Sequence, residues 1–276
     1  MPLLRGRPPA PRPAQGGWHL SEWVSEFFGT TLLLIGGLSA VSVDFAAASP
    51  VPHAIASPSL RLLLTGALFA GTGSLVALTP FGRRSGAHLN PAVTLAFWAN
   101  RHVHRHDLAG YLVAQLLGDL AGAATVAAIW GPWASSVHYG LTAPGQGLST
   151  LAVGGLEAGM TAALVLVIFT FVSSPASTRW TPLAVWGLVT VLVWQVAPYT
   201  GTSLNPARSL GPAVVAGRFT DLAVYLVAPP AGALGAATVW RILSARRTLT
   251  AKLYHDSRYP SCLASALPAA APDGTR

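Results

Sequence analysis

The heptad Leu89-Asn90-Pro91-Ala92-Val93-Thr94-Leu95 returns as Leu204-Asn205-Pro206-Ala207-Arg208-Ser209-Leu210, identical at five of seven positions with Thr94 and Ser209 a conservative sixth. The chain holds three asparagines, and two of them stand in these repeats. Asparagine is a favoured N-cap and proline is favoured at the first helical position, so each heptad opens a helix. Neither helix has room to cross a bilayer: Val93–Asn100 and Ala207–Ala216 each end at a charge or a break. A bare tripeptide is a weak sign, but a heptad repeated in matching context constrains the whole chain.

The surroundings of these half-helices are apolar. Hydrophobic residues make up 52% of the chain and charged residues 9%, far below the quarter or so typical of soluble domains. The sequence therefore reads as an all-α integral membrane protein. Spans are expected near Trp23–Val43, Leu62–Gly82, Leu108–Trp130, Leu148–Val172, Pro182–Tyr199 and Leu222–Trp240, each close to the roughly 20 residues a bilayer needs. A net charge of +8 invites a nucleic-acid reading, but the placement of the charge argues against that partner. With six spans, 14 of the 17 Lys and Arg fall on one side, leaving Arg61, Arg208 and Arg218 on the other. Such a bias is the positive-inside pattern, with both termini cytoplasmic. Residues 1–21 read as a disordered cytoplasmic tail without a signal peptide, 22–243 as the membrane domain, and 244–276 as a second cytoplasmic tail. Cys262 is the only cysteine, which leaves no disulfide frame and no cysteine-based metal site in view.

The order is three spans with a half-helix after the second, then the same again: repeat one over about 22–130, repeat two over about 148–243. Odd-span repeats must lie in opposite orientations, and inverted repeats place their shared site where broken helices meet near the midplane. Glu26 and Glu157 each sit in the first span of their half. An intramembrane carboxylate needs partners, and the non-helical backbone before each half-helix needs acceptors, so each glutamate is expected to brace its own loop.

Ser85-Gly86-Ala87-His88-Leu89-Asn90-Pro91-Ala92-Val93-Thr94 and Asn205-Pro206-Ala207-Arg208-Ser209 resemble the signature loops of the major intrinsic protein family, the aquaporins and glycerol facilitators. Glu26, Ala114-Gln115, Gly145-Gln146-Gly147, Glu157, and Pro229 with Gly232 extend the likeness over about Trp23–Arg241. The resemblance implies six spans and two re-entrant half-helices, one pore per subunit, and a homotetramer in the plasma (inner) membrane. It implies a passive channel for water and small uncharged solutes, no enzyme, and no cofactor or metal. Asn90, Pro91, Ala92, Asn205, Pro206 and Ala207 would meet at the pore centre, with His88 joining Glu26 and Glu157 in bracing the loops. Two opposed helix N-termini, each worth about half a positive charge, would repel cations and protons.

Arg208, whose counterpart in the first repeat is Val93, would be the fixed cation of a selectivity filter. Family spacing puts the other filter positions 20 residues before Asn90, and 12 and 3 before Asn205: Ala70, Val193 and Thr202. Water-selective members typically carry Phe and His at the first two. Ala-Val-Thr-Arg is closer to plant nodulin-type intrinsic proteins, which are similar in passing glycerol, urea or undissociated metalloid acids. Tyr225-Leu226 resembles that branch, whereas Ser209 stands where glycerol facilitators usually have Asp. A one-residue slip would substitute Phe69 and Trp194 for Ala70 and Val193, because it turns a helix face by about 100°. A strictly water-selective pore, or a secondary transporter with inverted repeats, are the alternatives.

Three lesser features remain open. Asp119, mid-span, could pair with a neighbouring helix, serve function or meet another subunit. His102, His104 and His106 could bind metal or sense pH, or lie on a solvated surface. Gly118/Gly122 and Gly155/Gly159 suggest close helix crossings.

Overall fold

A computed structural model describes residues 12–244 and 247–267. Residues 1–11 of the first expected tail, and 245–246 and 268–276 of the second, lie outside the described residues. Eight helices carry the architecture: α1 (Leu20–Phe45), α2 (Pro58–Leu78), α3 (Pro91–Ala99), α4 (Arg105–Trp130), α5 (Thr150–Phe171), α6 (Thr181–Thr200), α7 (Pro206–Ala216) and α8 (Leu222–Leu243). Among the described residues, all but α3 and α7 form the 6 helices long and apolar enough to cross a membrane. The helix starts follow local chemistry: Ser57, Ser149, Asn90 and Asn205 each accept a backbone N–H of their own first turn.

The second span differs from its expected end. It stops at Leu78 rather than Gly82, because Thr79 caps a separate turn, Pro80–Ser85, and accepts from Gly82 N at 3.2 Å. Proline cannot continue the helix before it and is favoured in the first turn of the next.

The two repeats pack alike, with α1 on α4 and α5 on α8. Gly118 and Gly122 allow the first contact: a Cβ on either would fall 2.5 Å from the Phe27 carbonyl oxygen or 2.8 Å from that of Thr31. Gly232 makes the matching approach of α8 to the Ala158 carbonyl. Gly155 and Gly159 do not, since a Cβ there would meet nothing within 4 Å, so the expected second crossing pair instead leaves an open face on α5. Helix α6 is the most exposed of the six spans.

Both half-helices are enclosed. Ala92, Ala96 and Phe97 of α3 and Ala207 and Ala213 of α7 are fully buried. The largest apolar core joins α3 to Leu164, Ile168 and Phe169 of α5 and to Ala233 and Ala236 of α8. That core also includes Ala251, Leu253, Cys262 and Leu263, so the described part of the second tail is packed structure.

Candidate functional site

The half-helices meet tip to tip. Asn90 Nδ2 donates to the Leu204 carbonyl at 2.8 Å, and Asn205 Nδ2 donates to the Leu89 carbonyl at 2.9 Å. Each Oδ1 simultaneously accepts from its own helix, from Ala92 N at 2.8 Å and Ala207 N at 3.0 Å. Capping therefore fixes which end of each amide faces its helix, and the –NH2 ends are left toward the centre.

The loops that aim these tips are held under backbone strain. Ala87, Leu89, Thr202 and Leu204 all have positive φ, between 49° and 55°, at corresponding places in the two repeats. For a residue with a Cβ this conformation costs roughly 1–2 kcal/mol. Carboxylates offset it. Glu26 Oε1 and Oε2 accept from His88 N (3.0 Å) and Leu89 N (2.8 Å), while Glu157 Oε1 and Oε2 accept from Ser203 N and Leu204 N, both at 2.9 Å. Both glutamates are fully buried. Gln115 adds a third donor to Glu26 at 2.7 Å and a bond to Thr94 Oγ1 at 2.9 Å.

A second symmetric pair was not anticipated. The Tyr111 hydroxyl donates to the Ser85 carbonyl at 2.6 Å and the Tyr225 hydroxyl to the Thr200 carbonyl at 2.8 Å, anchoring the start of each loop. The sequence carries a sign of it, since Tyr111 and Tyr225 follow the motif asparagines by 21 and 20 residues. His88, besides its backbone bond to Glu26, places Nδ1 3.1 Å from Thr94 Oγ1 and Nε2 2.8 Å from the Ala251 carbonyl.

The environment of Arg208 has no counterpart in repeat one. Its Nη1 donates to the Gly140 carbonyl at 2.8 Å, and its guanidinium lies 5.3 Å from the centre of the Phe69 ring. Asp119 turns out to belong here: its carboxylate accepts the Gly211 N–H, tying α4 to the second half-helix.

Two cavities flank this point. One, of about 110 Å³, is lined by Ala70, His88, Asn90, Val93, Asn205 and Leu253 among others. The second, of about 280 Å³, is lined by Val193, Thr202, Gly140 and Ala197 among others. Phe69, Val189, Ser203, Leu204 and Arg208 wall both, so the two chambers adjoin at the arginine. Of the two register alternatives, α6 presents Val193 to the passage, while Trp194 lines neither cavity and donates to Ser59 Oγ at 2.8 Å. On α2 both neighbours reach it: Ala70 walls the smaller chamber, and Phe69 walls both. The walls are chiefly aliphatic, interrupted by the Asn amides, Arg208 and loop polar groups. Such walls suit the passage of small polar molecules.

The histidine run is dispersed rather than gathered. His102 is buried between the Asn100 and Thr248 carbonyls, at 2.9 and 3.0 Å, while the His104 and His106 rings meet edge to face at 5.0 Å. Cys262 acquires neighbours that spacing could not foretell: its thiol, His19 and Asp107 offer ligand atoms all within 4.8 Å of one another. There His19 Nδ1 already meets Asp107 Oδ1 at 2.7 Å, and Trp23 Nε1 donates to the same oxygen at 3.1 Å.

Comparison with known proteins agrees with this geometry. The family described as Major intrinsic protein matches residues 17–240. Aquaporin NIP3-1 of Oryza sativa subsp. japonica is 31% identical over 223 residues, covering 80% of this chain and 68% of that protein. Aquaporin Z of Rhodopseudomonas palustris is 32% identical over 242 residues, covering 83% and 96%. In three dimensions the chain is similar to the X-ray structure of the aquaglyceroporin from Plasmodium falciparum, with a TM-score of 0.65 at 22% identity over 82% of this chain and 97% of that one.

Proposed function

The chain belongs to the major intrinsic protein family and is a passive membrane channel for water and small solutes rather than an enzyme, and from that premise we propose how it selects. The observation that carries the proposal is the pair of Asn-capped half-helix tips meeting at the wall of the smaller of two cavities that adjoin at Arg208. Each asparagine amide has two N–H donors, gives one to the opposite loop, and offers the other to a passing oxygen. A water that accepts from both amides holds its own hydrogens away from them, which interrupts a proton relay. The positive helix ends repel cations in the smaller chamber, and Arg208 repels them where it joins the larger one.

The filter is assigned to Ala70, Val193, Thr202 and Arg208, with the Phe69 ring packed against the guanidinium. Two small or aliphatic members leave it wide and poor in hydrogen-bonding partners, which suits glycerol, urea or an undissociated metalloid acid as well as water. The nodulin-type names of similar plant proteins support that class. The charge bias of the sequence supports cytoplasmic termini and a plasma (inner) membrane location. The open Gly155/Gly159 face and the peripheral α6 support assembly as a homotetramer.

Swelling of proteoliposomes in a solute panel tests the filter. The wild type is expected to pass glycerol or urea alongside water. Ala70→Phe is expected to lower glycerol or urea flux about tenfold while lowering water flux by no more than about twofold, one misfit in a tight passage being worth about 1–2 kcal/mol. Equal loss of both, or no change in either, would remove Ala70 from the constriction.

A further inference from the structure

The segment 248–267 folds across one end of the pore and is bonded to both repeats there. Leu249 N donates to the Val172 carbonyl at the end of α5 (2.9 Å), and Leu253 N to the Gly86 carbonyl at the foot of the first loop (3.0 Å). Ala264 N donates to the His102 carbonyl at 3.0 Å, and Lys252 Nζ to the Arg83 carbonyl at 2.8 Å. His88, whose own backbone N–H is held by Glu26, contacts the Ala251 carbonyl through Nε2. An antiparallel bridge between Thr250 and Ser265 closes the segment on itself.

Eight of the 20 residues are buried, at 248, 250–253 and 262–264, while the turn between them reaches solvent, with Arg258 and Pro260 exposed. Ala251 is 0% exposed, Ala264 1%, Lys252 3% and Leu253 7%. Leu253 also walls the same cavity as Asn90, Asn205 and Arg208. An isobutyl side chain there fills volume and offers no hydrogen bond to a water that has given up others to enter. The Arg208 chamber is walled instead by Val137, Gly140 and Leu141 of the α4–α5 connection, with Thr65, Thr202, Ser203 and Arg208 supplying its polar side chains.

We propose that residues 248–267 are an autoinhibitory plug, with Leu253 as the side chain that closes this mouth, and that conduction requires the segment to leave. The proposal rests on the channel reading above and adds its regulation. Release exposes Leu253, Cys262 and Leu263 together, so docking is a cooperative two-state event, and Cys262 reports on it.

The test compares the full chain, a chain truncated after Ser244, and Leu253→Ala in proteoliposomes under an osmotic gradient, with Cys262 labelled by a membrane-impermeant maleimide. Truncation is expected to raise water flux per assembled channel about tenfold, the gain for a mouth closed nine-tenths of the time. Leu253→Ala is expected to raise flux by a smaller factor while Cys262 stays protected. A truncated chain that inserts, elutes like the full chain and conducts at the same rate overturns the plug. If truncation prevents insertion, unchanged flux in Leu253→Ala with Cys262 protected overturns it instead. Rapid Cys262 labelling in the full chain also overturns it, because the segment is then undocked at rest. Absence of flux from every variant overturns the channel reading along with the plug, whereas failure of the plug alone leaves the full chain freely conducting.

Discussion

The two half-helix loops are built on one frame and finished differently. In both, a buried glutamate takes two successive N–H groups, a tyrosine holds the loop's first carbonyl, and an asparagine caps its helix while reaching across. The finish diverges at the next turn. Val93 of α3 faces the passage where α7 has Arg208, and α7 alone is tied by Asp119. The first loop is covered by segment 248–267, and the second lies under Gly140 and Thr142 of the α4–α5 connection. Shared parts solve the common problem of holding unpaired backbone inside a bilayer. Unshared parts give one mouth a fixed charge and the other an apolar cover.

The largest effect should come from breaking the shared frame. Glu26→Gln and Glu157→Gln each replace a carboxylate that accepts two N–H bonds by an amide with one oxygen, leaving a buried donor facing a donor. Each is expected to destabilise the fold by about 3 kcal/mol, seen as a lower unfolding temperature in detergent. Glu26→Gln should be the worse, because Glu26 also receives Gln115. Equal and negligible losses would mean that the loops hold their left-handed residues without the carboxylates.

Next comes the difference between the tips. Arg208→Val copies the first repeat's residue into the second and is expected to raise flux of larger neutral solutes about tenfold and to admit some cations, measured by swelling and by planar-bilayer conductance. Unchanged selectivity would place the filter elsewhere.

The smallest effect concerns the covered mouth and pH. Burial pushes the Lys252 ammonium down to about 8 from its ordinary 10.5, with Glu22, Asp256 and Cys262 opposing the shift and Arg84 adding to it. The docked segment thus binds fewer protons than the free one between these values, so docking strengthens as pH rises from 8 toward 10.5 and is pH-independent below 8. Water flux of the full chain is expected to fall modestly over that window, and Lys252→Met should flatten the profile. A flat profile would show that the ammonium is solvated when docked, and a rise would show that the docked site holds it charged.

What could be read before folding was whatever one stretch of chain decides for itself. Asparagine and proline set both half-helix starts, apolar length set six spans, and the rarity of charge drew attention to Glu26 and Glu157, because capping, transfer to lipid and the cost of an ion in lipid are local quantities. Register was less legible: on α2 the helix face admits both Phe69 and Ala70 to the passage, and no periodicity could rank them. Gly155 and Gly159 matched a packing pattern yet face outward, since a small residue permits a close approach without supplying the neighbour. Asp119 was an acid without a partner until α7 was laid beside α4. The packed segment 248–267 was the least legible part. Its composition is that of a tail, and it becomes core only because the mouth of the pore offers carbonyls, a histidine and an apolar recess at matching heights. Sequence alone determined that two short helices must enter the membrane from opposite sides; only the tertiary structure decided what stands over each entrance, because that depends on distances between groups far apart along the chain.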